Sequence, residues 1–323
     1  MNLSGVAWRG PQSPLAEPHW QEIIQGWREA LARCGRRPGR KRVHAMRVAT
    51  VRLQSPVEVW LSKRVGDDAA GRTARRWMKQ AEKLRKTLSP VRDLDVLLEI
   101  LRGMRSPQAG DVGQVSRAGR ACLLEMDKLE RRLERKRRSA EQKFSKSIAK
   151  KQTAFDEAGE ALQQAFGDSN VRTVIDVAAA LRGMSAEMAA EAAFLTAETL
   201  HDFRKRAKTA RYVAEVAQKG DETAKAQAAL FKRIQSAVGE WHDWLTLAES
   251  AELVLGAGRG DGLVPLLKSL AERSLDKALS ESRRLTGELV KLSAGEGRAK
   301  RSFSQKKTVQ SAGRATAETQ RFA

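Results

Sequence analysis

Between Pro107 and Pro265 the chain contains no proline, and this interval is rich in Ala, Leu, Glu, Lys, Arg and Gln. Proline is the strongest breaker of an α-helix, and those six residues are among its best formers. A stretch this long without proline or β-branched alternation points to long helices. Outside it, the other prolines, at 11, 14, 18, 38, 56 and 90, punctuate shorter helical patterns. No hairpin dipeptide separates β-branched runs anywhere. The expected fold class is all-α.

The helical patterns can be delimited in turn. EPHWQEIIQGWREALARCG is amphipathic, with Ile23, Ile24, Trp27 and Leu31 on one side. GRRPG breaks it, and a long helix follows from about Lys41, kinked near Pro56. Arg72 to Leu88 is a third helix, stopped by Ser89-Pro90; a new one starts at Asp93, which reads as its N-cap, as Asp243 does further on. Trp77, Trp241 and Trp244 read as core. The segment from Met126 to Lys151, MDKLERRLERKRRSAEQKFSKSIAKK, is either a solvated connecting helix or a basic binding face. Charge runs usually solvate a surface, which favours the first. From 293 to 323, Gly, Ser, Thr, Lys and Arg dominate, the composition of a disordered basic tail. The expected organisation is one domain at 12–292, with a first half at 12–125, a connecting basic helix at 126–151 and a second half at 152–292, then the tail.

Charge narrows the function. Sixty Lys and Arg against 39 Asp and Glu give a formal net charge of +21. Such an excess repels itself in a compact state, so it points to a polyanionic partner. Two cysteines, Cys34 and Cys122, without zinc-type spacing suit a reducing compartment. No apolar run has the length of a signal peptide or a membrane span, so a cytoplasmic protein with no membrane partner is expected.

Two of the four histidines share a local setting. HAMRVATVR places Arg47 three residues after His44, and LHDFRKRAKTAR places Arg204 three residues after His201. Each is followed by a second element, LSPVRDLDVLLEIL from Leu88 and VGEWHDWLTLAESA from Val238; aligned without gaps, Arg92 falls on His242 and Asp93 on Asp243. Two elements recurring in the same order at nearly the same separation suggest two related helical halves. On a helical wheel His201, Arg204, Lys208 and Arg211 fall within an arc of about 80°, and Arg40, His44 and Arg47 form a similar stripe with Arg52 to one side. Between Arg36 and Arg52 there are seven Lys and Arg and no acidic residue. The helix lacks the Glu partners of a salt-bridged surface, so negative charge is expected from elsewhere.

VHAMRVATVRL, VRDLDVLLEIL, LHDFRKRAKTARYVAEV and the following VGEWHDWL together resemble the conserved-histidine α-helical domain, the CHAD family, over roughly 12–292. The resemblance implies two internally related four-helix bundles about a pseudo-two-fold axis, with a central basic groove or channel that binds inorganic polyphosphate. It also implies a place on polyphosphate granules. Carried over by motif position, the anion-binding candidates are His44, Arg47, Arg52 and Arg92, with His201, Arg204, Lys208, Arg211 and His242 in the second half. Arg40, Lys83 and Arg233 complete the candidate set. Val51 and Gln54 interrupt the arginine run that the family carries after its first histidine, which makes the first-half site look the weaker. The acidic, alternating strands of the triphosphate-processing CYTH domain, often fused to such domains, are absent.

Polyphosphate has no bases to read, so its receptor needs closely spaced cations, and Arg and Lys supply them. No cofactor, metal site or catalytic residue is expected. The His-Asp pairs at 201–202 and 242–243 evoke metal-dependent phosphohydrolases, but the flanking Arg and Lys would repel a metal. The stronger rival is a general nucleic-acid binder, using the net charge and basic tail. Aromatic residues at 5% with a single tyrosine argue against base stacking, leaving nucleic acid as a secondary partner of the tail.

Overall fold

The structure is a computed structural model; it describes residues 20–36, 38–64, 68–105, 120–168, 175–217, 221–257 and 262–319, beyond 292 as backbone only. Among the described residues eight α-helices follow one another: α1 (Trp20–Arg36), α2 (Arg40–Ser62), α3 (Ala69–Gly103), α4 (Arg120–Gly167), α5 (Val177–Ala192), α6 (Ala197–Ala217), α7 (Glu222–Leu255) and α8 (Leu263–Thr319). No strand occurs among the described residues, so the all-α reading stands. Asp68, Asp176 and Asp221 are N-caps, each accepting a bond from a first-turn amide. α7 ends where Gly256 turns to φ 85°, a conformation that favours glycine.

α1 to α4 pack in cyclic order, each on two neighbours, and α5 to α8 repeat that order. The halves join through counterpart helices, α2 on α6, α3 on α7 and α4 on α8, with α4 also on α7. The main core is anchored in the first half by Trp27 and Trp77, edge to face at 5.5 Å, and runs on through Phe203, Phe231 and Trp241 of the second. A second apolar cluster joins α3, α4, α7 and α8, through Leu101, Leu129, Leu247 and Leu267, with Trp244 packed against it. These four helices are the longest of each half, and the parts that outrun the short helices bury each other.

Three boundaries differ from expectation. α3 runs unbroken through Pro90, because Leu84, Leu88, Val91, Leu98 and Leu101 carry one buried stripe across it. That stripe outweighs the roughly 3 kcal/mol that an interior proline costs. Asp93 and Asp243 therefore sit inside helices and cap nothing. The segment at 126–151 is the middle of α4. The same helix continues through Phe155, Leu162 and Phe166 to wall off the first bundle, where Phe166 meets the Trp20 ring at 4.6 Å. Finally, the backbone of 293–319 continues α8 as helix, in keeping with its Ala, Lys, Arg and Gln content. Residues 12–19 and 320–323 of the expected domain and tail lie outside the described residues.

Candidate functional site

The two histidine helices, α2 and α6, pack directly on each other, and α3 and α7 meet beside them. The cationic stripes therefore face one another at the joint between the halves. Lys208 lies at its centre. Its amine is half-buried among four guanidiniums, Arg47 from α2, Arg85 from α3, and Arg204 and Arg211 from its own helix. No carboxylate pairs with it among the described residues. Burial first, then these four like charges led by Arg47, pull its pKa down to about 7.

Arg204 is set deep beside Lys208. It crosses α7 at Gly239, where a side chain would begin 3.4 Å from its Nη2. Its Nε is buried and has no hydrogen-bond partner. Burial holds its pKa below the usual arginine value, against the pull of Asp243 and Asp93. Arg92 behaves alike: burial and then Arg47 lower it, while Asp95, Glu99 and Asp243 oppose. Asp95 itself is buried and bonded to Arg137 Nε of α4 at 3.0 Å, so it is no dedicated partner of Arg92.

The histidines occupy two places. His44 stands at the rim of α2, where desolvation against the protein wall and then Arg92 and Arg47 hold its pKa below normal. His201 and His242 stack on each other, ring centroids 5.2 Å apart and planes at 27°. Desolvation, then Lys205, His242 and Arg204, lower His201.

Several stripe arginines have acidic partners that the local sequence does not show. Arg47 Nη1 donates to Asp93 Oδ1 at 2.7 Å, and Arg40 pairs with Glu99. Arg52 Nη2 and Arg211 Nε share Glu215 at 3.0 and 2.8 Å, and Arg211 Nη1 donates to Gln235 at 3.2 Å. The stripes are thus partly compensated from α3 and from the next turn of α6. What has no ion-pair partner among the described residues is the centre, Lys208 with Arg85, Arg92 and Arg204, although Asp93, Asp95 and Asp243 lie near enough to act on Arg92 and Arg204.

Two candidates are not brought here. Lys83 is exposed and lies about 180° around α3 from Arg92. Arg233 turns towards Glu281 and Glu288 of α8, at 3.9 and 4.0 Å. In their stead the structure supplies Arg85, missed from sequence although it sits seven residues, two turns, before Arg92. Its Nη1 donates to Gln54 Oε1 at 3.3 Å. Gln54, which interrupts the first arginine run, is buried and steadies an arginine from the neighbouring helix. Val51, the counterpart of Lys208, is buried in α2. Tyr212 is also buried, with the Arg211 guanidinium 5.0 Å from its ring centroid.

A row of anionic oxygens laid against this cationic cluster would satisfy Arg204 Nε and return charge to Lys208. Among the described residues no group of three His, Cys, Asp or Glu is placed to hold a metal ion, and no helix is long and apolar enough to cross a membrane.

Comparison with known proteins bears on the fold. A family model described as CHAD domain matches residues 17–252. Among solved structures, PptA from Streptomyces chartreusis superposes with a TM-score of 0.60 at 14% identity, covering 86% of this chain and 100% of that one. The CHAD domain from the plant Ricinus communis gives 0.53 at 15% identity, covering 87% and 91%. At such identities the likeness is one of fold. No match is found among curated proteins.

Proposed function

Because the chain belongs to the CHAD domain family, which is associated with polyphosphate binding, we propose that it binds inorganic polyphosphate without cleaving it, in the groove between α2 and α6. The observation that carries this reading is the centre of the groove: a half-buried amine among four guanidiniums, beside an arginine whose buried Nε has no acceptor. Folding concentrates like charge there at an electrostatic cost, and a chain of phosphates offsets it. His44 and the stacked His201 and His242 flank this centre and add donors. The groove's unpaired charge is arginine and lysine, which suits holding phosphate oxygens. In this reading the protein organises or localises the polymer, on granules where these form.

The test is a competition with the full chain. Labelled long-chain polyphosphate is bound at physiological salt and challenged with duplex DNA and with RNA of equal phosphate content. Resistance to large excesses of both is expected. Displacement in proportion to charge would instead make the protein a general polyanion binder. A site-directed arm separates geometry from charge count. Arg85→Ala should weaken binding by the about 1.5–3 kcal/mol of a charged hydrogen bond, whereas Lys83→Ala, equal in charge, should leave it within a factor of about two. Equal effects of the two would refute the groove assignment. Polymer length should be unchanged after prolonged incubation, and released phosphate would overturn the non-catalytic reading.

A further inference from the structure

The outer face of α4 carries a charge pattern that the groove does not use. Between Lys128 and Lys151 there are eleven basic and three acidic residues. The three acids, Glu130, Glu134 and Glu141, fall within about 40° of one another on the wheel, on the flank turned to α3. There they are taken up by Arg102, Arg105 and Arg137, with Arg138 more loosely on Glu134. The opposite arc is left with cations alone. Lys128, Arg131, Arg132, Arg135 and Lys136, then three lysines at 143, 146 and 150, lie within an arc of about 140° along a length of about 33 Å. All are exposed, and none has an ion-pair partner among the described residues. The other residues in the arc are Ser139, Gln142 and Ala149.

Nothing in the fold requires this bareness. α8, the counterpart of α4 in the second half, pairs more of its cations: Lys268 with Glu252, Lys277 with Glu240, and Arg284 with Glu281 and Glu288, leaving Arg273 and Lys291 as isolated exceptions rather than a row. On α4, like charges three and four apart face each other unrelieved, which disfavours the helix in the absence of an anion. The arc has no large apolar side chain to enter a lipid interface and no aromatic ring to stack a base. What it complements is a flexible chain with a negative charge on every unit.

Its position decides what such a site would do. In the cyclic order of the first bundle α4 is diagonal to α2, so the cationic arc points away from the groove. We propose that the outer face of α4 is a second phosphate-polymer site, and that one molecule thereby holds two polyphosphate chains, or two distant stretches of one chain, together. The inference rests on the groove reading for the first of the two contacts. Two sites facing apart turn a binder into a cross-linker, because each added protein joins strands that are already held elsewhere. The α4 site is the more exposed, so salt should weaken it before the groove.

The test uses the full chain and the variant R131Q/R132Q/R135Q/K136Q, whose four side chains have no partners to lose; circular dichroism verifies its helix content. Titration calorimetry with short polyphosphate counts sites, and light scattering with long-chain polyphosphate reads cross-linking. The wild-type protein should show two sites, and the variant one of unchanged affinity, with scattering reduced by roughly tenfold or more. A variant that keeps both sites and scatters like wild type overturns the proposal. So does a variant that loses duplex DNA binding while its polyphosphate stoichiometry and scattering stay intact, since the face then serves nucleic acid. A groove variant, R85A/R204A/K208A, keeps the two readings apart. If it binds as wild type does, the groove reading fails, while loss of one site in the α4 variant still upholds the second site.

Discussion

In the proposed reading, Lys208 is the residue at which folding and binding oppose each other. With a pKa near 7 in the folded chain against an ordinary value of 10.5, it is protonated in the unfolded state and largely neutral in the folded one between those limits. The unfolded state then binds more protons, so stability rises with pH from about 7, by at most about 1.4 kcal/mol per pH unit. Above pH 9 the sign is contested, because burial pushes Cys34 up to about 12 and raises Cys122, and unfolding then releases their protons. Urea midpoints of the ligand-free protein should therefore climb between pH 7 and 9, and Lys208→Met should flatten that rise. A polyanion acts in the opposite sense. Phosphate oxygens beside Lys208, His44 and His201 raise pKa values that desolvation and neighbouring cations had lowered, so binding takes up protons and tightens as pH falls from 8 to 6. Calorimetry in two buffers of different ionisation heat measures that uptake; affinity flat across the range would refute the linkage. The histidine repeat made the cations legible in sequence. Their acids were not legible, because Asp93, Glu99 and Glu215 reach Arg47, Arg40 and Arg52 across helix interfaces that no local spacing reveals.

At the scale of elements, the helical class and the amphipathic face of α1 could be read directly, since a 3.6-residue period is local information. The course of α3 and α4 could not. Pro90 is a breaker by local rules and is overruled by a buried stripe on either side of it, while the charge of α4 hides apolar positions spaced over many turns. How α4 meets α1 depends on small residues, and at Gly159 the obstacle is a rigid ring. A Cβ at Gly159 would lie 2.7 Å from Cζ3 of Trp27, which is fully buried, edge-on to Trp77, and donates through Nε1 to Thr50 at 3.2 Å. That ring has nowhere to go. Gly159→Ala gains about 1 kcal/mol of helix propensity and costs up to about 3 kcal/mol in overpacking, so it should be net destabilising. Gly183, inside α5, is the control: a Cβ there meets nothing within 4 Å. Gly183→Ala should raise stability by up to about 1 kcal/mol. Chemical denaturation of the pair reads both signs, and equal shifts would show that the α1–α4 contact is looser than described.

At the scale of the whole molecule, the groove exists only while the two halves hold their relative position, since Lys208 needs Arg47 and Arg85 from one half and Arg204 and Arg211 from the other. The direct joint between α2 and α6 brings those cations together and so works against itself electrostatically. The apolar cluster of α3, α4, α7 and α8 supplies attraction between the halves, and it belongs to neither half alone. Leu129 of α4 and Leu267 of α8 are both fully buried in it. Truncating either to alanine should cost about 2–5 kcal/mol. The distribution of that loss is the informative quantity. If the cluster couples the halves, Leu129→Ala should speed native-state hydrogen exchange in α7 and α8 as much as in α3 and α4, and the protein should still unfold in one transition. If the halves are independent bundles that merely touch, faster exchange will be confined to 20–167 and a second transition will separate. Polyphosphate bound in the groove should bring exchange in the Leu129→Ala variant back towards wild type in both halves, because a polymer contacting α2 and α6 together stabilises only the joined state.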